Sequence, residues 1–141
     1  MTERLSHFKN VHMIGIKGAG MASLAGLLSR QGVTVTGSDI DEVFFTDSIL
    51  QALNIRYVEQ FSPDNIPADA QAIIYSTAYT PEKNVELAAA FEKQIPVLSY
   101  PEALGMLTRE KLTLAVCGTH GKTTTSALLA ETLKFSGLDP S

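Results

Sequence analysis

The sequence predicts an α/β fold built on a doubly wound parallel sheet, and three observations carry that expectation. Short apolar strands alternate with helix-period segments from end to end. The strands are apolar at consecutive positions, as in sheets covered on both faces. Glycine-rich turns follow two of the strands and open helices, one at residues 15–21 and one at residues 118–124.

The elements follow in order. Asn10 to Ile16 reads as a buried strand ending at Gly18 and Gly20, and Met21, Leu24, Ala25 and Leu28 then recur at helical spacing up to Gln31-Gly32. Val33 to Gly37 is a second strand. A helix from about Phe45 carries Ile49, Leu50 and Leu53, and Ile55 to Val58 is a third strand. Two prolines make Ser62 to Pro67 a loop. Gln71 to Ser76 is the fourth strand. Pro81 suits the first turn of a helix running to about Lys93, with Val85, Leu87, Ala88 and Phe91 available for packing. Pro96 to Ser99 is a short strand, and Pro101 begins a short helix. After the charged connector Arg109 to Lys111, Leu112 to Val116 is expected as a sixth strand, with Cys117 at its buried end. A helix over Lys122 to Phe135, stopped by Gly137, completes the pattern. The expected organisation is a self-sufficient unit over residues 1–108 and the strand, phosphate loop and helix of an incomplete second domain over 109–141.

Composition excludes several classes. The 141 residues carry 15 acidic and 11 basic side chains, a net charge of −4 with no basic cluster, which argues against a nucleic-acid surface. A single cysteine permits no internal disulfide and no cysteine-rich metal site. No apolar run approaches the roughly 20 residues that span a bilayer, and the first ten residues lack a secretory pattern. A cytoplasmic protein without membrane partners is the expectation.

The first glycine turn, in a Rossmann-like setting, offers backbone N–H groups and a positive helix end to a diphosphate. Asp39, in Gly37-Ser38-Asp39 after the second strand, stands where an acidic group usually meets ribose hydroxyls; a helix-capping or solvated role is the competing reading. Lys17 occupies the second glycine position of G-x-G-x-x-G, where it either crowds a dinucleotide pyrophosphate or lends charge to a diphosphate placed differently. The second turn, Gly118-Thr119-His120-Gly121-Lys122-Thr123-Thr124, is a shortened phosphate loop, since Val116 stands where the longer motif has its first glycine. Lysine beside a hydroxyl at a helix start suits β- and γ-phosphates and Mg²⁺, with Lys122 on phosphate and Thr123 on the metal. His120, inside the loop, reads either as a phosphate or substrate contact or as structural.

Two such turns about 100 residues apart, spelled His12-Met13-Ile14-Gly15-Ile16-Lys17-Gly18-Ala19-Gly20-Met21 and Gly118 to Thr123, together with Gly37-Ser38-Asp39, Ser76-Thr77-Ala78 and Ser99-Tyr100, resemble the Mur ligases of peptidoglycan synthesis. The resemblance covers essentially the whole chain. It implies a three-domain, ATP- and Mg²⁺-dependent amide ligase of cell-wall precursor synthesis. There ATP phosphorylates the lactyl carboxylate of UDP-N-acetylmuramate, and an amino acid, L-alanine on the nearest spellings, attacks the acyl phosphate. A murein tripeptide ligase shares much of the layout. By the same resemblance Gly15, Lys17, Gly18, Ala19, Gly20 and Met21 would face the UDP diphosphate. Ser38, Asp39, Ser76, Thr77 and Ala78 would line the nucleotide pocket, and Gly118 to Thr124 would hold ATP and Mg²⁺, with His120, Lys122 and Thr123 nearest the chemistry.

Nothing after Lys122 supplies an acidic metal ligand, since Glu131 lies on the loop's own helix and Asp139 in the tail. The expectation is therefore the N-terminal part of a longer ligase, inactive in ligation by itself, with Leu128, Leu129 and Leu133 forming an apolar stripe that invites a homodimer. Two readings from other classes compete. A dinucleotide-dependent oxidoreductase or NAD-sensing domain gains from Asp39, whereas Lys17 and the Gly-Lys-Thr loop weigh against it. A small regulatory module would keep only the first unit's affinity.

Overall fold

The computed structural model describes residues 5–140. The chain divides into two compact units, Met1–Glu110 and Lys111–Ser141. In the first, five parallel strands stand in the order β3-β2-β1-β4-β5: β1 Asn10–Ile14, β2 Thr34–Ser38, β3 Arg56–Val58, β4 Ala72–Tyr75 and β5 Val97–Ser99. The helices are α1 Ala19–Arg30, α2 Asp47–Ala52, α3 Val85–Glu92 and α4 Tyr100–Arg109. The chain runs outward from β1 to β3, then returns across it to β4, so the loops after β1 and β4 part at the carboxyl edge of the sheet. That point is the usual binding crevice of such folds.

Alternation along the strands sorts the core onto two faces. Val11, Met13, Ala72 and Ile74 pack with Leu24, Ala25 and Leu28 of α1, Leu50 of α2 and Ala103 and Leu107 of α4. Ile14 and Ile73 point the other way, onto Leu87, Ala89 and Ala90 of α3. The expected doubly wound sheet is therefore present.

Three expectations need correction. Residues 112–118 form no strand, because a strand exists by its ladder hydrogen bonds and none of the described strands pairs with this segment. Leu112 is 98% exposed, and Cys117 is exposed rather than buried. The helix expected from Pro81 begins at Val85, where Asn84 caps it by accepting a hydrogen bond from the Leu87 amide at 2.9 Å. Val85 and Phe91 consequently face out, and Leu87 carries the packing. The final helix, α5, spans Lys122–Phe135 as expected, and no helix among the described residues is long and apolar enough to cross a membrane.

Two glycines give opposite expectations. A methyl group on Gly37 in β2 would lie 2.6 Å from Ile16 Cδ1 and 2.8 Å from the Met13 carbonyl oxygen, whereas one on Gly105 in α4 would meet nothing within 4 Å. Gly37→Ala should lower unfolding free energy by about 1–3 kcal/mol. Gly105→Ala should raise it by about 0.5–1 kcal/mol, since glycine is a poor helix former. Urea denaturation checks both, and a Gly37→Ala midpoint equal to wild type would contradict the packing described.

Candidate functional site

In the first unit the site forms at the carboxyl ends of β1, β2 and β4. The turn after β1 is fixed by the end of β2: the Gly15 and Ile16 amides both donate to the Ser38 carbonyl, at 2.8 and 3.2 Å, and the Lys17 amide donates to Asp39 Oδ2 at 2.7 Å. Gly15 adopts φ +81°, and a Cβ there would stand 2.7 Å from the Tyr79 ring and 2.8 Å from Ser76 Cβ. The turn therefore presses against the loop after β4, and only glycine fits. Gly18 is the N-cap of α1 and contributes no side-chain cap, so the first-turn amides of Ala19, Gly20 and Met21 end a helix with no side-chain acceptor. Ala19 is exposed and Gly18 and Gly20 are half-buried, whereas Met21 is buried. The Tyr100 ring lies against Gly20, where a Cβ would approach it to 2.7 Å. Across the crevice, Thr77 and Ala78 are exposed and Ser76 half-buried, its hydroxyl accepting from the Ala78 amide at 3.4 Å.

Three of the expected site residues face inward. Lys17 is fully buried, and its ammonium contacts Glu59 at 2.5 Å, the Glu42 carbonyl at 2.8 Å, the Ile40 carbonyl at 3.3 Å and Asp47 at 3.5 Å. The ammonium is thus enclosed by the chain's own oxygens. Burial alone would lower its pKa, but the hydrogen bond it donates to Glu59 and the charges of Asp47 and Glu59 raise it above the usual 10.5. Asp39, 3% exposed, accepts from the Lys17 and Ile40 amides and from the Tyr79 hydroxyl at 3.2 Å, so its carboxylate braces the turn. Tyr79 is pushed up to about 12 by burial and by the Asp39 charge and hydrogen bond. The Ser38 side chain is buried and donates to Glu86 Oε1 at 2.7 Å.

Glu86 was not singled out by the sequence pattern, yet it is the hub beneath the site. Fully buried, it meets His12 Nε2 at 2.5 Å and accepts from the Asn65 side chain at 2.8 Å and the Ser62 amide at 3.1 Å. The other ring nitrogen of His12 lies 2.8 Å from the Thr36 hydroxyl. Burial pushes the Glu86 pKa up, but the hydrogen bonds from His12, Ser38 and Asn65 outweigh it and leave the carboxyl below its usual 4.5. In the sequence Glu86 is an ordinary acid in the first turn of α3, and no local signal marks it as buried.

In the second unit Gly121 caps α5 in the left-handed conformation, φ +76°, again with no side-chain cap. Lys122 curls back onto its loop, its ammonium donating to the Gly118 carbonyl at 2.8 Å and reaching the Thr119 carbonyl at 3.4 Å. Thr119, His120, Thr123 and Thr124 are exposed around that amide-lined end. These groups fit a phosphate chain. Thr123 carries an exposed side chain beside Lys122, and no cluster of three or more His, Cys, Asp or Glu that could hold a metal exists among the described residues. A groove of about 430 Å³ within this unit is lined by Leu112, Leu114, Val116, Leu129 and Leu133.

Comparison with known proteins gives a consistent picture. The model of the Mur ligase family, catalytic domain, matches residues 10–112. A UDP-N-acetylmuramate–L-alanine ligase of Treponema pallidum is 47% identical over 131 residues, covering 93% of this chain and 27% of that protein. One from Desulfitobacterium hafniense is 46% identical, covering 93% of this chain and 29% of its own length. The chain thus spans less than a third of the curated relatives it matches. Among solved structures, the UDP-N-acetylmuramate:L-alanyl-γ-D-glutamyl-meso-diaminopimelate ligase of Neisseria meningitides superposes with a TM-score of 0.83 at 30% identity, over 92% of this chain and 40% of that one. The UDP-N-acetylmuramate–alanine ligase of Thermotoga maritima gives 0.78 at 32% identity, over 89% and 29%.

The buried hub yields a direct test. Removing one partner of a buried charged cluster leaves the others unpaired, so Glu86→Ala should cost about 3–5 kcal/mol by urea denaturation at pH 7. Because the folded carboxyl titrates below 4.5, its stabilisation is present above that pH and is lost as pH falls through the lowered folded value. Wild type should therefore lose stability below about pH 4.5 more steeply than Glu86→Gln. Parallel pH profiles would contradict a charged Glu86.

Proposed function

The chain belongs to the Mur ligase family, and from that premise we propose that its first unit binds the UDP-sugar substrate of an amide ligase and its second begins the ATP site. The observation that carries the reading is the uncapped start of α1 at Gly18–Gly20, opening into the crevice where the loops after β1 and β4 part. A diphosphate supplies the negative charge and acceptors that such a helix end lacks. On this reading Gly18, Ala19, Gly20 and Met21 donate backbone N–H groups to the diphosphate, and Ser76, Thr77 and Ala78 form the facing wall. Gly15, Ser38 and Asp39 shape the crevice from beneath.

The names of the relatives support UDP-N-acetylmuramate as the nucleotide sugar and L-alanine as the amino acid. The whole protein would then couple ATP cleavage to joining the L-alanine amine to the muramyl carboxylate. Its ATP would lie on Gly118–Thr124, with Lys122 against the phosphates and Thr123 offering its hydroxyl to the Mg²⁺ that would offset their charge. Acyl-phosphate chemistry needs charge stabilisation and alignment more than a side-chain nucleophile, which suits two amide-lined helix ends. Asp39, the acid expected to meet ribose hydroxyls at a dinucleotide site, faces inward, which weighs against that reading.

Ligand-induced stabilisation tests the proposal. UDP-N-acetylmuramate at about 100 times Kd should add roughly 2.7 kcal/mol and raise Tm, while NADH leaves it unchanged. Stabilisation by NADH alone would overturn the assignment in favour of a dinucleotide-binding module.

A further inference from the structure

Lys17 belongs to the glycine turn, yet all three of its polar groups bond to residues 39–47 after β2, and its ammonium is held there by Glu59 from just after β3. Its amide donates to Asp39, its carbonyl accepts from the Thr46 hydroxyl, and its ammonium joins the Ile40 and Glu42 carbonyls to Asp47 and Glu59. The ammonium lies 5.8 Å from the Phe44 ring centroid and 5.4 Å from that of Tyr57. Residues 39–46 form neither helix nor strand and present Val43 and Phe45 to solvent, so apolar burial does little to hold them. Lys17 is what joins them to the turn.

We propose that Lys17 is a positioning residue for nucleotide-diphosphate binding: without touching the ligand, it locks segment 39–47 to the glycine turn and so presets the amides at the start of α1. The proposal rests on the diphosphate reading of that helix end. A turn carrying Gly15, Gly18 and Gly20 has many conformations open to it, and any ordering left until binding subtracts from affinity. Glycine at position 17, as a dinucleotide motif would have it, supplies the amide and carbonyl contacts but not the ammonium. The side chain therefore anchors from the far side of the turn what glycine would leave loose.

The test is a double-mutant cycle on UDP-N-acetylmuramate affinity, measured by calorimetry on the 141-residue chain at a temperature where circular dichroism shows every variant folded. Lys17→Met and Glu59→Gln should each weaken binding about 5- to 20-fold, the double variant should be no weaker than the worse single one, and Lys17→Arg should return to within about 3-fold of wild type. Glu59 is about half exposed, so its substitution keeps the test available if Lys17→Met fails to fold. Folded Lys17→Met or Glu59→Gln with wild-type affinity and only a lowered Tm would overturn the proposal and leave the diphosphate reading standing. A wild-type chain that binds no UDP-N-acetylmuramate would overturn both.

Discussion

Ser38, the last residue of β2, and Asp39 just after it hold the turn on which the first unit's chemistry depends. Ser38 offers its carbonyl to two consecutive amides of the turn, and Asp39 offers its carboxylate to the third. With the amides of residues 15–17 fixed on β2, the next ones in the chain begin α1 and face the crevice. The same two residues reach further. The Ser38 hydroxyl ties to Glu86 and thence to Asn65 and Ser62, and Asp39 ties to Tyr79, whose ring packs edge-on against Phe61 at 4.9 Å. The end of one short strand thus coordinates the loops after β1, β3 and β4.

These contacts are polar and buried, which makes them demanding. A carboxylate without partners in a protein interior costs several kcal/mol, whereas a fully partnered one fixes a geometry. Two charge clusters stand near the turn's anchor. Glu86 with His12 sits under the sheet face covered by α3, and Lys17 with Asp47 and Glu59 sits beside β3. The apolar core under α1 and α4 supplies cohesion, and the polar clusters decide how the loops at the carboxyl edge are arranged.

Much of this was legible in the sequence, because apolar periodicity and glycine placement are local signals. The five strands, the order of helices, the two phosphate-type turns and the span of α5 follow from them. What failed was non-local. Leu112 to Val116 has the composition of a buried strand, but composition does not supply the neighbour that a ladder needs. Pro81 is a favoured helix starter, yet the Asn84 side chain takes the cap. Lys17 reads as a cation near phosphate until Asp47 and Glu59, distant by 30 and 42 residues, are seen to enclose it. Glu86 looks like an ordinary first-turn acid of α3, and only the fold shows that it faces His12 across 74 residues.

The central claim is that a nucleotide diphosphate rests on the start of α1. Amide chemical-shift mapping on the uniformly ¹⁵N-labelled chain, titrated with UDP-N-acetylmuramate, tests it most directly. The expected result is saturable shifts centred on Gly18, Ala19, Gly20 and Met21, with a second group at Ser76, Thr77 and Ala78. Shifts confined to Gly118–Thr124, or none at saturating ligand, would contradict it.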